Sequence, residues 1–259
     1  MITVSHVYKQ FEDGRVALND VCATFDQGKT NLVIGQSGSG KTVLLKCIVG
    51  LHEVTSGDIL FNDVVFNRLN FREKKSIRQK MGMLFQGSAL FDSLTVEENV
   101  MFPLEMFTQM TRSERRDRAN VCLNRVNIVN ANHLYPAELS GGMQKRVAIA
   151  RAIALQPHYL FCDEPNSGLD PRTSVVIDTL IQEITHEFNI TTIVNTHDMN
   201  SVMGIGENIL FIFEGKKGWQ GQSSEILNST CKPLTDFIFA SDLLKEMRSA
   251  IQATKGSAI

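Results

Sequence analysis

Short apolar runs rich in β-branched residues alternate with longer stretches of helical period along the chain. Asn31-Leu32-Val33-Ile34 reads as a buried strand, and Val43-Leu44-Leu45-Lys46-Cys47-Ile48-Val49 as the buried helix that follows it. Upstream, residues 2–7 and 16–25 predict strands joined by a turn at Glu12-Asp13-Gly14-Arg15, and Asp26-Gln27-Gly28-Lys29 leads into the Asn31 strand. Downstream, residues 57–63 are hairpin-like, residues 72–80 read as a solvated charged helix, and Met81-Gly82-Met83-Leu84-Phe85 as a buried strand ending at Gln86. From 94 to 155 the pattern turns helical. Thr111-Arg112-Ser113-Glu114 fits a capping box, Ala119, Cys122, Leu123 and Val126 recur at helical spacing, and Arg112, Arg115, Arg116 and Arg118 are expected on a solvated face. Met101, Met106 and Met110 are expected to fill this insert's core, with an adaptable surface for a partner helix as the alternative. Alternation then resumes with strand Tyr159-Leu160-Phe161-Cys162, a helix over 173–188, strands over 190–194 and 208–213, a turn at Glu214-Gly215-Lys216-Lys217 and a terminal helix over 234–247. The pattern is that of an α/β protein with no internal repeat.

Between the Asn31 strand and its helix lies Gly35-Gln36-Ser37-Gly38-Ser39-Gly40-Lys41-Thr42, which fits the phosphate-binding pattern G-x-x-x-x-G-K-[ST] in the context it requires. Glycines let backbone N–H groups close on phosphate oxygens, the helix N-terminus adds positive partial charge, Lys41 can reach the β- and γ-phosphates, and Thr42 can bind Mg²⁺. A chance match in a chain this long has a probability of roughly a percent. Two further apolar strands end in useful chemistry, one in Asp163-Glu164 and one near His197. Ligands of open α/β sheets bind outside the carboxyl ends of the strands, so one crevice can collect all three. There Asp163 can hold Mg²⁺, Glu164 can polarise or deprotonate water, and His197 can donate to the γ-phosphate. Gln86 can coordinate Mg²⁺ or position water, or be an ordinary loop glutamine. Phe11 can stack on a purine or be a plain core or surface aromatic, with Tyr8 as its competitor. Ser140-Gly141-Gly142 opens another helix whose free donors make a second anion site. It lies beyond the helical insert, so its donors are expected to meet the γ-phosphate bound to a second copy of the chain.

Composition narrows the setting. With 259 residues, 43% hydrophobic and 21% charged, the chain suits one large domain or a core domain with a subdomain. Its net charge of −2 gives no electrostatic case for nucleic acid. Five cysteines without a C-x-x-C pair suit reduced thiols and argue against structural metal. No apolar run approaches a spanning helix and the N-terminus lacks a signal-peptide pattern, so a cytoplasmic chain touching a membrane only through a partner is expected.

In this order the motifs resemble the nucleotide-binding subunits of ABC transporters, over roughly residues 2–225. Residues 35–42 are similar to that family's Walker A motif, Gln86 to the Q-loop, Leu139-Ser140-Gly141-Gly142-Met143-Gln144 to the signature, residues 159–163 to the Walker B strand, Glu164 to the catalytic base, Ser167-Gly168-Leu169-Asp170 to the D-loop and His197 to the switch histidine. The resemblance implies a P-loop NTPase of ABC ATPase fold with an N-terminal antiparallel β subdomain and a helical signature subdomain at about residues 87–155. It divides the chain into an ATPase domain, 1–232, and a C-terminal helical extension, 233–259, which by default packs on the domain. It implies ATP and Mg²⁺, with Glu164, His197 and Gln86 catalytic and Thr42, Gln86 and Asp163 on the metal. The nucleotide would touch Phe11, Val16, Gly35, Gln36, Ser37, Gly38, Ser39, Gly40, Lys41, Thr42, Val43, Ser140, Gly141, Gly142 and Asp170. Expected partners are a second copy and integral membrane permease subunits, with no nucleic acid, at the cytoplasmic face of a bacterial inner membrane.

Residues 84–96 and Asn99-Val100-Met101-Phe102-Pro103-Leu104 look like the ATPases of MCE-linked, Mla-type phospholipid transporters. That likeness implies phospholipid cargo, an MCE-domain substrate-binding protein and a small regulatory subunit. Amino-acid importers and lipoprotein-release ATPases share parts of these stretches and form the alternative. A non-transport ABC protein is the more distant one, since those usually carry two cassettes or a long coiled-coil insert.

Overall fold

Strands buried on one face make up one sheet, and the inner strands of a second are buried on both. The computed structural model describes residues 1–226 and 228–239. In chain order these hold β1 (Ile2–Gln10), β2 (Val16–Phe25), β3 (Thr30–Ile34), α1 (Lys41–Ile48), β4 (Ser56–Phe61), β5 (Val64–Val65), α2 (Phe71–Arg78), β6 (Met81–Leu84), α3 (Val96–Phe107) and α4 (Arg112–Arg125). There follow α5 (Gly141–Ile153), β7 (Tyr159–Asp163), α6 (Pro171–Glu187), β8 (Thr191–Asn195), α7 (Met199–Ile205), β9 (Asn208–Phe213), β10 (Lys216–Gly221), α8 (Ser223–Ile226) and α9 (Lys232–Ile238).

The first sheet is antiparallel, in the order β2-β1-β4-β5. In β1 the residues Ile2, Val4 and Val7 are buried, and the pairing slips between Val4 and Val7, where His6 has φ +50°. One extra residue there keeps Val7 on the buried face. The second sheet runs β10-β9-β3-β8-β7-β6, parallel except for β10. Its inner strands divide their side chains between two cores. Val33, Phe161, Ile193 and Leu210 join Leu44, Leu45 and Ile48 of α1 beneath the first sheet. Leu32, Leu160, Val194 and Ile209 face α5, α6 and α7 on the other side. Burial on both faces is why these strands read as unbroken apolar runs.

Helix boundaries follow their caps. Asn70, Thr95 and Thr111 each accept from the backbone N–H three residues on, and Glu73, Glu98 and Glu114 reach back in reciprocal capping boxes. α3, α4 and α5 pack on one another. Two expectations within them change. Arg118 is half-buried rather than solvated, donating to the carbonyls of Ala154 (3.0 Å) and Ile153 (3.0 Å), where the end of α5 leaves oxygens without intrahelical donors. Of the methionines only Met101 is buried, while Met106 and Met110 are exposed. In the tail, Leu234 and Ile238 of α9 are buried and Phe237 lies 5.6 Å from Phe211. The rest of the expected terminal helix lies outside the described residues. The sheet order sets β3, β8, β7 and β6 side by side, so the segments that follow them emerge at one edge.

Candidate functional site

The turn after β3 needs glycine at its ends. A Cβ on Gly35 would lie 2.3 Å from the Ile212 carbonyl oxygen, and one on Gly40, at φ +111°, would lie 2.8 Å from that of Ala17. Gly40 also leaves the start of α1 without a side-chain cap, so its first N–H groups face the turn. Lys41, 5% exposed, folds back to donate to the carbonyls of Gly35 (2.8 Å) and Gln36 (3.1 Å). Burial pushes its pKa down, and the carboxylates of Glu164 and Asp163 pull it back up. Ser39 Oγ is buried without a protein partner. A cradle of backbone donors, an ammonium and an orphan hydroxyl fits a phosphate chain.

A cavity of about 480 Å³ opens over this turn, and its wall includes Val16, Ser37, Gly38, Gly40, Lys41, Thr42, Val43 and Glu164. Arg15, Ala17, Glu214 and Gly215 complete it, none of them marked for the site by the sequence pattern. The Glu214-Gly215 turn reaches the site because β9 pairs with β3, and Gly215 N–H donates to the Ser39 carbonyl at 2.9 Å. Phe11 is not part of this wall. Its ring meets His52 edge-on at 5.5 Å, and Lys9 and Arg15 each lie 5.0 Å from its centroid, Arg15 being itself part of the wall.

At the end of β7, Asp163 is 8% exposed and its Oδ1 accepts from Thr42 Oγ1 (3.3 Å) and Asn195 Nδ2 (3.0 Å). A hydroxyl and a carboxylate so placed are the hard oxygen donors that Mg²⁺ takes. Asn195 was missed, although its place is regular: it pairs with Asp163 in the parallel register of β7 and β8. One residue on, Glu164 takes φ +47° and donates its N–H to the Asn195 carbonyl at 2.9 Å. His197, with its proton on Nδ1, donates to Glu164 Oε1 at 3.1 Å.

Gln86 arrives at the same place from β6, but its amide turns to Glu164 Oε2 (3.4 Å) and Ser167 Oγ (3.4 Å) rather than to Thr42 and Asp163. α5 holds its loop. Lys145 donates to the Gln86 carbonyl, and Arg151 donates to those of Ser88 (2.8 Å) and Ala89 (2.7 Å), two residues with φ of +62° and +50°.

Two expected groups lie apart from the cavity wall. Ser140 is exposed and caps α5, accepting from Met143 N–H at 3.3 Å, with Gly141 and Gly142 in the first turn. Asp170 caps α6, accepting from the Thr173 hydroxyl, Thr173 N–H and Arg172 N–H, bonds that hold its pKa below the usual carboxylate range. Within one chain, Asp170 thus serves its own helix.

Residues 18–167 match a family described as ABC transporter. The chain is 39% identical over 229 residues to the methionine import ATP-binding protein MetN of Photobacterium profundum, an alignment covering 87% of this chain and 66% of that protein. To the methionine import ATP-binding protein MetN 1 of Yersinia pestis it is 36% identical over 246 residues, covering 94% and 71%. Among solved structures, the dimeric post-hydrolysis state of an ATP-binding cassette bound to ADP and Pi superposes with a TM-score of 0.79 at 35% identity, covering 86% of this chain and 99% of that one. The structure of cbiO1 from Clostridium perfringens, part of the ABC transporter complex cbiONQ, gives 0.82 at 27% identity, covering 97% and 98%. With a phosphate cradle and two acidic residues at the edge of a parallel sheet, and with these relatives, the chain belongs to the ATP-binding family of ABC transporters, a family of ATPases.

Proposed function

We propose that the chain hydrolyses ATP at a site shared between two copies of itself and so drives a membrane permease. The observation that carries this is the meeting of Lys41, Thr42, Asp163, Glu164 and His197 at one sheet edge while the donors of residues 140–142 stand elsewhere on the chain. In this reading residues 1–232 form the ATPase unit, residues of about 87–155 its helical subdomain and residues 233–259 an extension. Lys41 and the turn bind the phosphates. Thr42 and Asp163 would hold Mg²⁺, which supplies charge neutralisation on the phosphates when bound. Glu164 takes the proton of the attacking water, and His197 donates to the γ-phosphate as charge develops there. Ser140, Gly141 and Gly142 of a second copy close over that phosphate, and its loss lets the halves part.

In this reading the chain meets its permease subunits at the cytoplasmic face, as its place among ABC transporter ATPases suggests, and no helix of the described residues is long and apolar enough to cross a membrane. For the cargo, we favour an amino acid, because the relatives named above import methionine. The phospholipid reading, with its MCE-domain partner, keeps residues 84–104 in its support. Extraction of the tagged chain with its permease, followed by mass spectrometry of what the complex retains and by ATP turnover with each candidate, separates the two. Stimulation by an amino acid delivered to the complex is expected. Co-purified phospholipid that stimulates turnover, with no response to amino acids, would reverse the assignment.

A further inference from the structure

α6 turns Ile177, Leu180, Ile181 and Ile184 into the core, and among them Asp178 is only 6% exposed. Desolvation of a carboxylate there opposes folding, and an apolar side chain would fill the place without that cost. Its partners identify what it holds. Asn166 Nδ2 donates to Asp178 Oδ1 at 2.8 Å and also reaches Ser201 Oγ at 3.1 Å, while the Ser201 hydroxyl hydrogen-bonds the same carboxylate. Burial raises the pKa of Asp178, the bonds from Ser201 and Asn166 lower it, and the nearby Asp198 carboxylate raises it again.

Asn166 lies two residues beyond Glu164, and Ser201 four beyond His197. The two segments that carry the reacting side chains thus meet twice. They meet at the exposed Glu164–His197 pair, and again below it through Asp178. An exposed pair between a left-handed loop residue and a half-exposed imidazole cannot fix its own geometry. A buried network anchored on a helix can.

We propose that Asp178 is a positioning residue for ATP hydrolysis, setting through Asn166 and Ser201 the spacing at which Glu164 and His197 pair. The proposal rests on the function proposed above. It is tested in the full chain with Asp178→Leu and Asp178→Asn, reading kcat, KM for ATP and Tm. Asp178→Leu removes the buried charge but leaves Asn166 and Ser201 without their acceptor, so Tm is expected to fall by a few degrees. Its kcat should fall on the order of tenfold while KM moves less than about twofold. Asp178→Asn keeps an oxygen that accepts from Asn166 and should retain most of the turnover. Wild-type kcat in Asp178→Leu overturns the proposal, as does a loss that Asp178→Asn shares in full or one that appears in KM instead. For that fall in Tm, Leu180→Ala on the same helix serves as the control, and an equal kcat loss at matched Tm also overturns it. Glu164→Gln keeps the two levels apart. Turnover that survives that change defeats the proposed function itself, whereas turnover lost there but kept in Asp178→Leu defeats only the role of Asp178.

Discussion

Glu164→Gln lowers steady-state ATP turnover by about 10² to 10⁴, the usual contribution of a general base, with ATP still bound. The two carboxylates at the end of β7 are not interchangeable, and the geometry says why. Asp163 is buried and its Oδ1 is committed to Thr42 and Asn195, whereas Glu164 turns out through a left-handed residue into the cavity over the phosphate turn. The amide retains the shape and the contact with His197 and removes only the ability to take a proton. Turnover by phosphate release and affinity by a fluorescent ATP analogue measure the two halves of the claim. Near-normal turnover would remove Glu164 from the role of base.

Lys41→Ala raises the dissociation constant for ATP by on the order of 10²-fold or more, because a buried ammonium is the cation aimed into the phosphate cradle. In the free protein its proton donors rest on two carbonyls of the turn. A phosphate chain exchanges those neutral acceptors for charged ones. Isothermal titration with ATP checks this, and an unchanged affinity contradicts the assignment of the whole loop.

Much of this was legible in the chain because the sheet that carries the site is buried on both faces, which writes β3, β7 and β8 as short apolar runs with the polar residues at their ends. What the pattern could not convey was which loops those ends would meet. Asn195 reads as a loop residue until the register of β7 and β8 sets it beside Asp163. Glu214 and Gly215 enter the site only because β9 lies next to β3. Charge was misread at Arg118. Arg118 was expected on a solvated face, yet it spends its donors on carbonyls that the end of α5 leaves open, as Lys145, on which the pattern is silent, does on the loop after β6. Around Phe11, a sequence does not reveal that Lys9, Arg15 and His52 converge on its ring. The cargo reading drew on one local run of residues, whereas the named relatives align over most of the chain.

In the proposed function the donors of residues 140–142, which do not line the cavity over their own chain's phosphate turn, close over the γ-phosphate of a second copy. Gly141 offers a clean way to disable them, since a Cβ there would meet only Leu169, at an ordinary 3.6 Å. An aspartate at that position therefore fits its own chain while setting a negative charge where the γ-phosphate of the other copy would dock. ATP turnover in a mixture of Gly141→Asp and Lys41→Ala chains reads the shared site most directly. Each variant alone should be inactive, and the mixed dimer should regain turnover from one intact site, built from Lys41 of one copy and Gly141 of the other. A mixture no more active than its two components would contradict a site completed between two copies.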